Sequence, residues 1–160
     1  MRIGVVSDTH GHTAHTLNAV RMLEELDVEA VLHCGDIGTP DIPPLFRRWP
    51  THYVFGNCDG NWAGLRAAIE ASGGVCHERE ASLLLGGRKI GLIHSDDHYA
   101  FVELIRNGRC DLVCYGHTHI AKQEQSGTTL VLNPGALYRA NPHRFAVVDL
   151  ATLEVTSFTI

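Results

Sequence analysis

Seven side chains able to donate to a cation each follow a short apolar run: Asp8 and His10 in S-D-T-H, Asp36 in C-G-D, Asn57 in G-N-C-D, His94 after G-L-I, and His117 and His119 in G-H-T-H. Two carboxylates, four imidazoles and one amide exceed the four positions of a tetrahedral zinc. They suit two ions if Asp36 bridges them. The Asp8-x-His10 and His117-x-His119 spacings put two donors on one loop, which helps aim both at one centre. Imidazole-rich ligation favours Mn, Fe, Zn or Ni over Mg or Ca, which prefer oxygen shells.

Charge arithmetic points to an anionic substrate. Two divalent cations carry four positive charges, of which the two aspartates cancel two and a bridging hydroxide one more. The remainder attracts a phosphate oxygen, and Asn57 adds an oxygen donor without adding charge. Two ions about 3.5–4 Å apart can activate a water and clamp the oxygens of an in-line displacement, with the water pKa lowered toward about 7. The chemistry expected is hydrolysis of a small phosphate ester.

Such a site needs loops that converge, and the order of elements supplies them. Residues 2–7 read as a buried strand, 13–27 as a helix with an apolar stripe of Leu17, Val20, Leu23 and Leu26, and 29–34 as a second strand. This is a βαβ unit with a parallel sheet. Four prolines in 40–50 leave a loop with at most a short helix around Leu45–Trp49. A third strand is expected at Tyr53–Phe55, then a helix over 61–72 capped by Asn61. Gly86-Gly87 joins strands 81–85 and 88–93 as a hairpin. A helix over 97–107, capped by Asp96 or Asp97, precedes a strand at 111–115. Strands within 120–132, turning at Ser126-Gly127, and at 144–149 and 153–159 complete the chain. Two packed sheets with helices outside follow, in one domain over 1–160. Ligands gather beyond the carboxyl ends of strands in such folds, where the seven donors lie.

Asp8-Thr9-His10, Gly35-Asp36, Gly56-Asn57-Cys58-Asp59, His94, Gly116-His117-Thr118-His119 and Asn133-Pro134-Gly135 resemble, in order, the motifs of calcineurin-like metallophosphoesterases. The length, and the Cys in G-N-C-D, are similar to the small YfcE-type branch. The resemblance implies an α/β fold, a four-layer α/β/β/α sandwich. It implies one metal held by Asp8, His10, Asp36 and His119, and another by Asp36, Asn57, His94 and His117. Three positions depart from the pattern. Cys58 stands where many relatives carry a His that acts as a general acid, Ser95 stands where glycine is common, and Ala136 replaces a frequent serine. Asp36, Asn57, Cys58 and Asp59 are the candidate catalytic group. Asp59 either holds a ligand imidazole or is a solvated turn residue, and Cys58 either meets substrate or fills space.

Other histidines carry less. His12, His98 and His143 read as surface or substrate-rim residues, and His15, His33, His52 and His77 as helix or strand positions without partners. Arg139 and Arg144 either bind phosphate or lie on a solvated face.

Composition bounds the rest. The chain has 160 residues and a formal net charge of -5, so general attraction to nucleic acid is not expected. No apolar run approaches the roughly 20 residues of a membrane helix. Five cysteines without a CxxC pair, and an N-terminus lacking a secretory pattern, predict reduced thiols in a cytoplasmic protein. Two divalent transition-metal ions, manganese first, are the expected cofactors. A homodimer is an open option, since similar proteins often pair. The rival from another class is a non-catalytic scaffold of the same fold, as in the small retromer subunit. The complete donor set argues against it.

Overall fold

A computed structural model describes residues 1–160. The first half alternates strand and helix as β1 (Arg2–Val6), α1 (Thr13–Glu25), β2 (Ala30–His33), β3 (Thr51–Tyr53), α2 (Trp62–Ala71) and β4 (Val75–Cys76). The second half continues with β5 (Glu80–Leu85), β6 (Arg88–Ile93), α3 (His98–Arg106), β7 (Leu112–Cys114), β8 (Lys122–Ser126), β9 (Thr129–Asn133), β10 (Arg144–Asp149) and β11 (Glu154–Thr159). One sheet has the order β11-β10-β1-β2-β3-β4, the other β5-β6-β7-β9-β8. In the first, β1 to β4 run parallel, and β10 closes antiparallel on β1. In the second, β6, β7 and β9 run parallel, flanked by antiparallel β5 and β8.

Period-two alternation along the strands builds the layers. Ile3, Val5, Ala30 and Leu32 of the first sheet meet Ile90, Leu92, Leu112, Cys114, Leu130 and Leu132 of the second in one buried cluster. The intervening Val6 and Val31 face the other way, against Ala19 and Leu23 of α1 and Leu65 and Ile69 of α2. On the far side, Val113 and Val131 pack with Leu104 of α3. The expected α/β/β/α layering is what these clusters describe. Close approach of α1 rests on Gly4, where an added Cβ would lie 2.8 Å from Leu23 Cδ2.

Details differ from the sequence reading for identifiable reasons. The α1 face that packs is Thr16, Ala19, Val20 and Leu23, while Leu17 is 38% exposed. A strict three-residue repeat drifts around a helix of about 3.6 residues per turn, so Leu17 rotates out of the stripe. The third strand is Thr51–Tyr53, two residues earlier than expected, because its parallel register on β2 pairs Thr51 with Val31. Val54 and Phe55 are buried past its end. The short helix is a 3-10 turn at Pro43–Phe46, and the prolines occupy its first positions, which need no amide donor. The two-residue β4 has no sequence signal. Asn61 caps α2, and Asp97, not Asp96, caps α3. No helix is long and apolar enough to cross a membrane.

Leu32 is fully buried between the sheets. Leu32→Ala should lower unfolding free energy by about 2–5 kcal/mol, with the slope on denaturant unchanged, as read by urea denaturation. A loss below 1 kcal/mol contradicts the inter-sheet core placement.

Candidate metal centre

Every candidate donor lies just past the carboxyl end of a parallel strand: Asp8 and His10 beyond β1, Asp36 beyond β2, Asn57 beyond β3, His94 beyond β6, and His117 and His119 beyond β7. Each loop must turn sharply to face inward. Asp8, His10, Asp36, His117 and His119 all adopt positive φ, between 45° and 69°, a left-handed backbone that non-glycine residues seldom take. Ser95 and Arg139, beside the site, do so too. Such strain persists only where the surroundings impose it, and it gathers at functional sites.

Asp8, His10, Asp36 and His119 offer ligand atoms that all lie within 4.8 Å of one another. His119 Nε2 is 3.2 Å from Asp8 Oδ1 and 3.3 Å from His10 Nε2. Asp36 faces two ways. Its Oδ2 is 3.7 Å from His10 Nε2, and its Oδ1 is 3.4 Å from His94 Nε2. The His94 and His117 rings meet edge-on with centroids 5.1 Å apart. The backbone amide of His117 donates to Asp8 Oδ2 at 3.2 Å. Asn57 stands apart, with its side-chain amide donating to Cys58 Sγ at 3.5 Å and its side chain exposed.

The surroundings aim the imidazoles. Nδ1 of His94 lies 2.8 Å from the Cys34 carbonyl, and Nδ1 of His119 lies 3.1 Å from the Arg139 carbonyl. A carbonyl only accepts, so each Nδ1 carries the proton and each Nε2 lone pair points into the cluster, as metal ligation requires. Gly56 and Gly116 leave the space: an added Cβ would fall 2.1 Å from Asp36 Oδ1 or 2.0 Å from Ser7 Oγ.

Asp8, Asp36 and His94 are at most 2% exposed, yet no Lys or Arg pairs with either carboxylate. Asp8 Oδ1 and His94 Nε2 have no hydrogen-bond partner. Burial raises the Asp8 pKa above the usual carboxylate range despite the Ser7 hydroxyl. At Asp36 burial acts upward too, but the His94 ring and the Cys58 amide, 2.8 Å away, outweigh it and the pKa falls. Burial opposes charge on His94, and the Asp36 carboxylate overcomes it, raising the pKa. For His10, burial dominates and the pKa drops. Oxygen and nitrogen lone pairs converge here without a fixed positive charge, and a divalent cation fits them.

Two supporting residues were misread or missed in the sequence. Asp59 holds no imidazole and is not solvated. It is 3% exposed and accepts from the backbone amides of Gly56 (2.9 Å), Gly38 (2.8 Å) and Ile37 (3.2 Å), clasping the β2 and β3 loops together. His33 does have partners. Its Nδ1 accepts from the Gly35 amide at 3.3 Å, so Nε2 donates to Thr9 Oγ1 at 3.0 Å, which donates onward to the Ile37 carbonyl at 3.0 Å. This chain ties the loop bearing Asp8 and His10 to the loop bearing Asp36. Its only sequence signal is a polar residue closing an otherwise apolar strand.

Other expectations are corrected in the same way. His15 is packed against His12 and His143, with centroids at 3.9 and 4.1 Å, and His12 stacks on Tyr138 at 4.4 Å. Tyr138 lies 6.5 Å from His10, so these rings rim the site. His52 Nδ1 and His77 Nε2 sit 2.9 Å apart, bridging β3 to the residue after β4. Asn133, in the N-P-G turn, donates to the Gly116 carbonyl (2.9 Å) and Thr118 Oγ1 (3.1 Å), bracing the G-H-T-H loop.

A family model for the calcineurin-like phosphoesterase superfamily domain matches residues 1–154. The chain belongs to that superfamily. Phosphodiesterase MJ0936 of Methanocaldococcus jannaschii is 29% identical over 138 residues, spanning 84% of this chain and 83% of its own. Among solved structures, an archaeal phosphodiesterase superposes with a TM-score of 0.93 at 26% identity, covering 100% of both chains. YfcE, a phosphoesterase from E. coli, shares the fold with a TM-score of 0.70 at 18% identity, again covering 100% of both. The superfamily fold therefore runs through the whole chain, with its Asp and His cluster in place.

His33 yields a pH test. Burial holds its pKa down at about 3, against 6.5 for an ordinary imidazole. The unfolded chain takes up this proton below pH 6.5 and the folded chain does not, so its stabilising effect is full above pH 6.5 and is lost progressively as pH falls toward 3. Between pH 6.5 and 5 that loss amounts to about 2 kcal/mol. Urea denaturation of His33→Gln should show a pH dependence weaker by that amount over this interval. Parallel curves for the two proteins contradict the neutral buried imidazole.

Proposed function

We propose that this superfamily member is a metal-dependent phosphodiesterase acting on small phosphate esters through two divalent transition-metal ions. Asp8, His10, Asp36 and His119 would hold one, and Asp36, Asn57, His94 and His117 the other. The observation that carries this reading is the position of Asp36, with one oxygen toward His10 and the other toward His94. The phosphodiesterase activity named for similar proteins supports it. Bound there, two cations supply Lewis acidity at the phosphoryl oxygens and a water acidic enough to ionise near neutral pH.

The chain's own residues do the rest. Asp36 holds its charge because the Cys58 amide and His94 face it. Asn57 and His117 are exposed at the mouth, where a phosphate arrives from solvent. Tyr138 and His12 wall one side. The Cys58 thiol is exposed, and partial desolvation together with the neighbouring Asp36 carboxylate raises its pKa, so it stays neutral and is a weak proton donor. Without a strong acid for the leaving group, diesters with good leaving groups are favoured over alkyl monoesters. Manganese is our first choice of ion, among Fe, Zn and Ni, because the donor set is imidazole-rich with carboxylates. The five free thiols suit a reducing, cytoplasmic setting. A scaffold of this fold has no need of a buried, convergent cluster of Asp and His side chains.

With added Mn, bis(p-nitrophenyl) phosphate should turn over faster than glycerol 2-phosphate. Asp36→Asn should lower both bound metal, by elemental analysis, and turnover by more than about a hundredfold. Faster hydrolysis of the alkyl monoester would falsify the Cys58 argument. Undiminished turnover in Asp36→Asn would remove the bridging role.

A further inference from the structure

Next to the metal centre opens a cleft of about 620 Å³, lined by Thr118, His119, Arg139, Asn141 and Arg144 together with small apolar residues. His119 belongs to both places: its Nε2 faces Asp8, while its ring also borders the cleft. No Asp or Glu lines the cleft. Neither Arg139 nor Arg144 makes an ion pair, in a chain with 18 acidic against 13 basic residues. Arg48, Arg66, Arg79 and Arg88 find carboxylates, while Arg2, Arg21, Arg47, Arg106 and Arg109 are also unpaired; what sets Arg139 and Arg144 apart is that both line one opening beside His119. Two unpaired guanidiniums beside one opening are therefore a local reversal of the chain's overall charge.

The backbone of both arginines is fixed by hydrogen bonds. The Arg139 carbonyl accepts from His119 Nδ1 at 3.1 Å, which fixes its backbone against a candidate ligand. Its side chain is exposed and lines the cleft with His119. Arg144 opens β10, where its amide donates to the Ala136 carbonyl at 3.0 Å. Its Cβ packs on Gly135, where an added Cβ would lie 3.0 Å away, and the residue is half-buried. A stem already ordered loses less freedom when its head binds.

We propose that Arg139 and Arg144 form a subsite for a second phosphate on the substrate, separate from the scissile one, with His119 between the two. The proposal rests on the phosphodiesterase reading and adds the substrate class: a diester whose leaving or retained portion bears another phosphate, as in a nucleoside bisphosphate. Guanidinium forks match phosphate oxygens in pairs, and a volume of this size accepts a sugar phosphate. The aromatic rings of His12 and Tyr138 border the site at His10, and the arginine-lined cleft adjoins it at His119.

The test compares thymidine 5′-(p-nitrophenyl phosphate) with its 3′-phosphorylated form on the Mn-loaded chain at about 0.15 M ionic strength. The 3′-phosphate should lower KM about tenfold with kcat little changed, the size expected of charge-assisted hydrogen bonds. In Arg139→Gln/Arg144→Gln the KM ratio between the two substrates should fall to about one. Arg106→Gln/Arg109→Gln, which removes the same charge at the other end of β7, should keep the wild-type ratio. Equal KM values in the wild type, or a ratio that survives the first pair of substitutions, overturn the subsite. Loss of the ratio in both pairs overturns it too, since general charge then explains the preference. If neither diester turns over with any metal, the phosphodiesterase reading fails. Calorimetry then decides the subsite alone: thymidine 3′,5′-bisphosphate must bind more tightly than thymidine 5′-monophosphate, and only with the arginines present.

Discussion

Asp8 and Asp36 are taken almost wholly out of water with no ammonium or guanidinium beside them, and the rest of the architecture answers to that cost. A buried, unpaired carboxylate is disfavoured by several kcal/mol, and here two lie among imidazole lone pairs that also seek positive charge. Ordinary folding offers three escapes: protonation, hydrogen bonding or a cation. The first shows in the raised pKa of Asp8, and the second in the Cys58 amide on Asp36. Asp8 Oδ1 and His94 Nε2 remain without a hydrogen-bond partner, and a cation is the escape that satisfies both together.

Holding such an arrangement takes more than the donors. Five of them sit on left-handed backbone, which favours relaxation away from the centre. Opposing this are bonds from residues that touch no substrate: Asp59 clasping three amides, His33 linked through Thr9 to the next loop, and Asn133 bracing the loop of His117 and His119. These ties are short and nearly all to main chain, so they fix loop shape and not only side-chain direction. The apolar clusters beneath supply the free energy that lets the loops remain strained.

The sequence displayed the site better than its support. Asp8, His10, Asp36 and His119 were readable because metal ligation demands particular residue types, and because each follows a β-branched or aliphatic run that must be a strand. The pairing of β5 with β6 was readable from the Gly86-Gly87 turn. What was hidden depends on neighbours distant along the chain. His33 resembles any polar strand end until Thr9 is beside it, and Asp59 resembles a turn residue until the amides of Gly38 and Gly56 surround it. The register that moves the third strand back to Thr51 comes from β2, and the exposure of Leu17 comes from helical drift, which a count of apolar positions ignores. The histidine cluster of His12, His15 and His143 unites residues more than a hundred positions apart, beyond any local pattern.

The donors divide between the two sheets: Asp8, His10, Asp36 and Asn57 extend from one, and His94, His117 and His119 from the other. Beneath them the sheets meet through apolar side chains, a contact with little directional preference. A cation held from both sides, as proposed, would act as a rivet through this seam. Occupancy and sheet alignment would then become a single property, and shear along the seam would be transmitted to the bound ion.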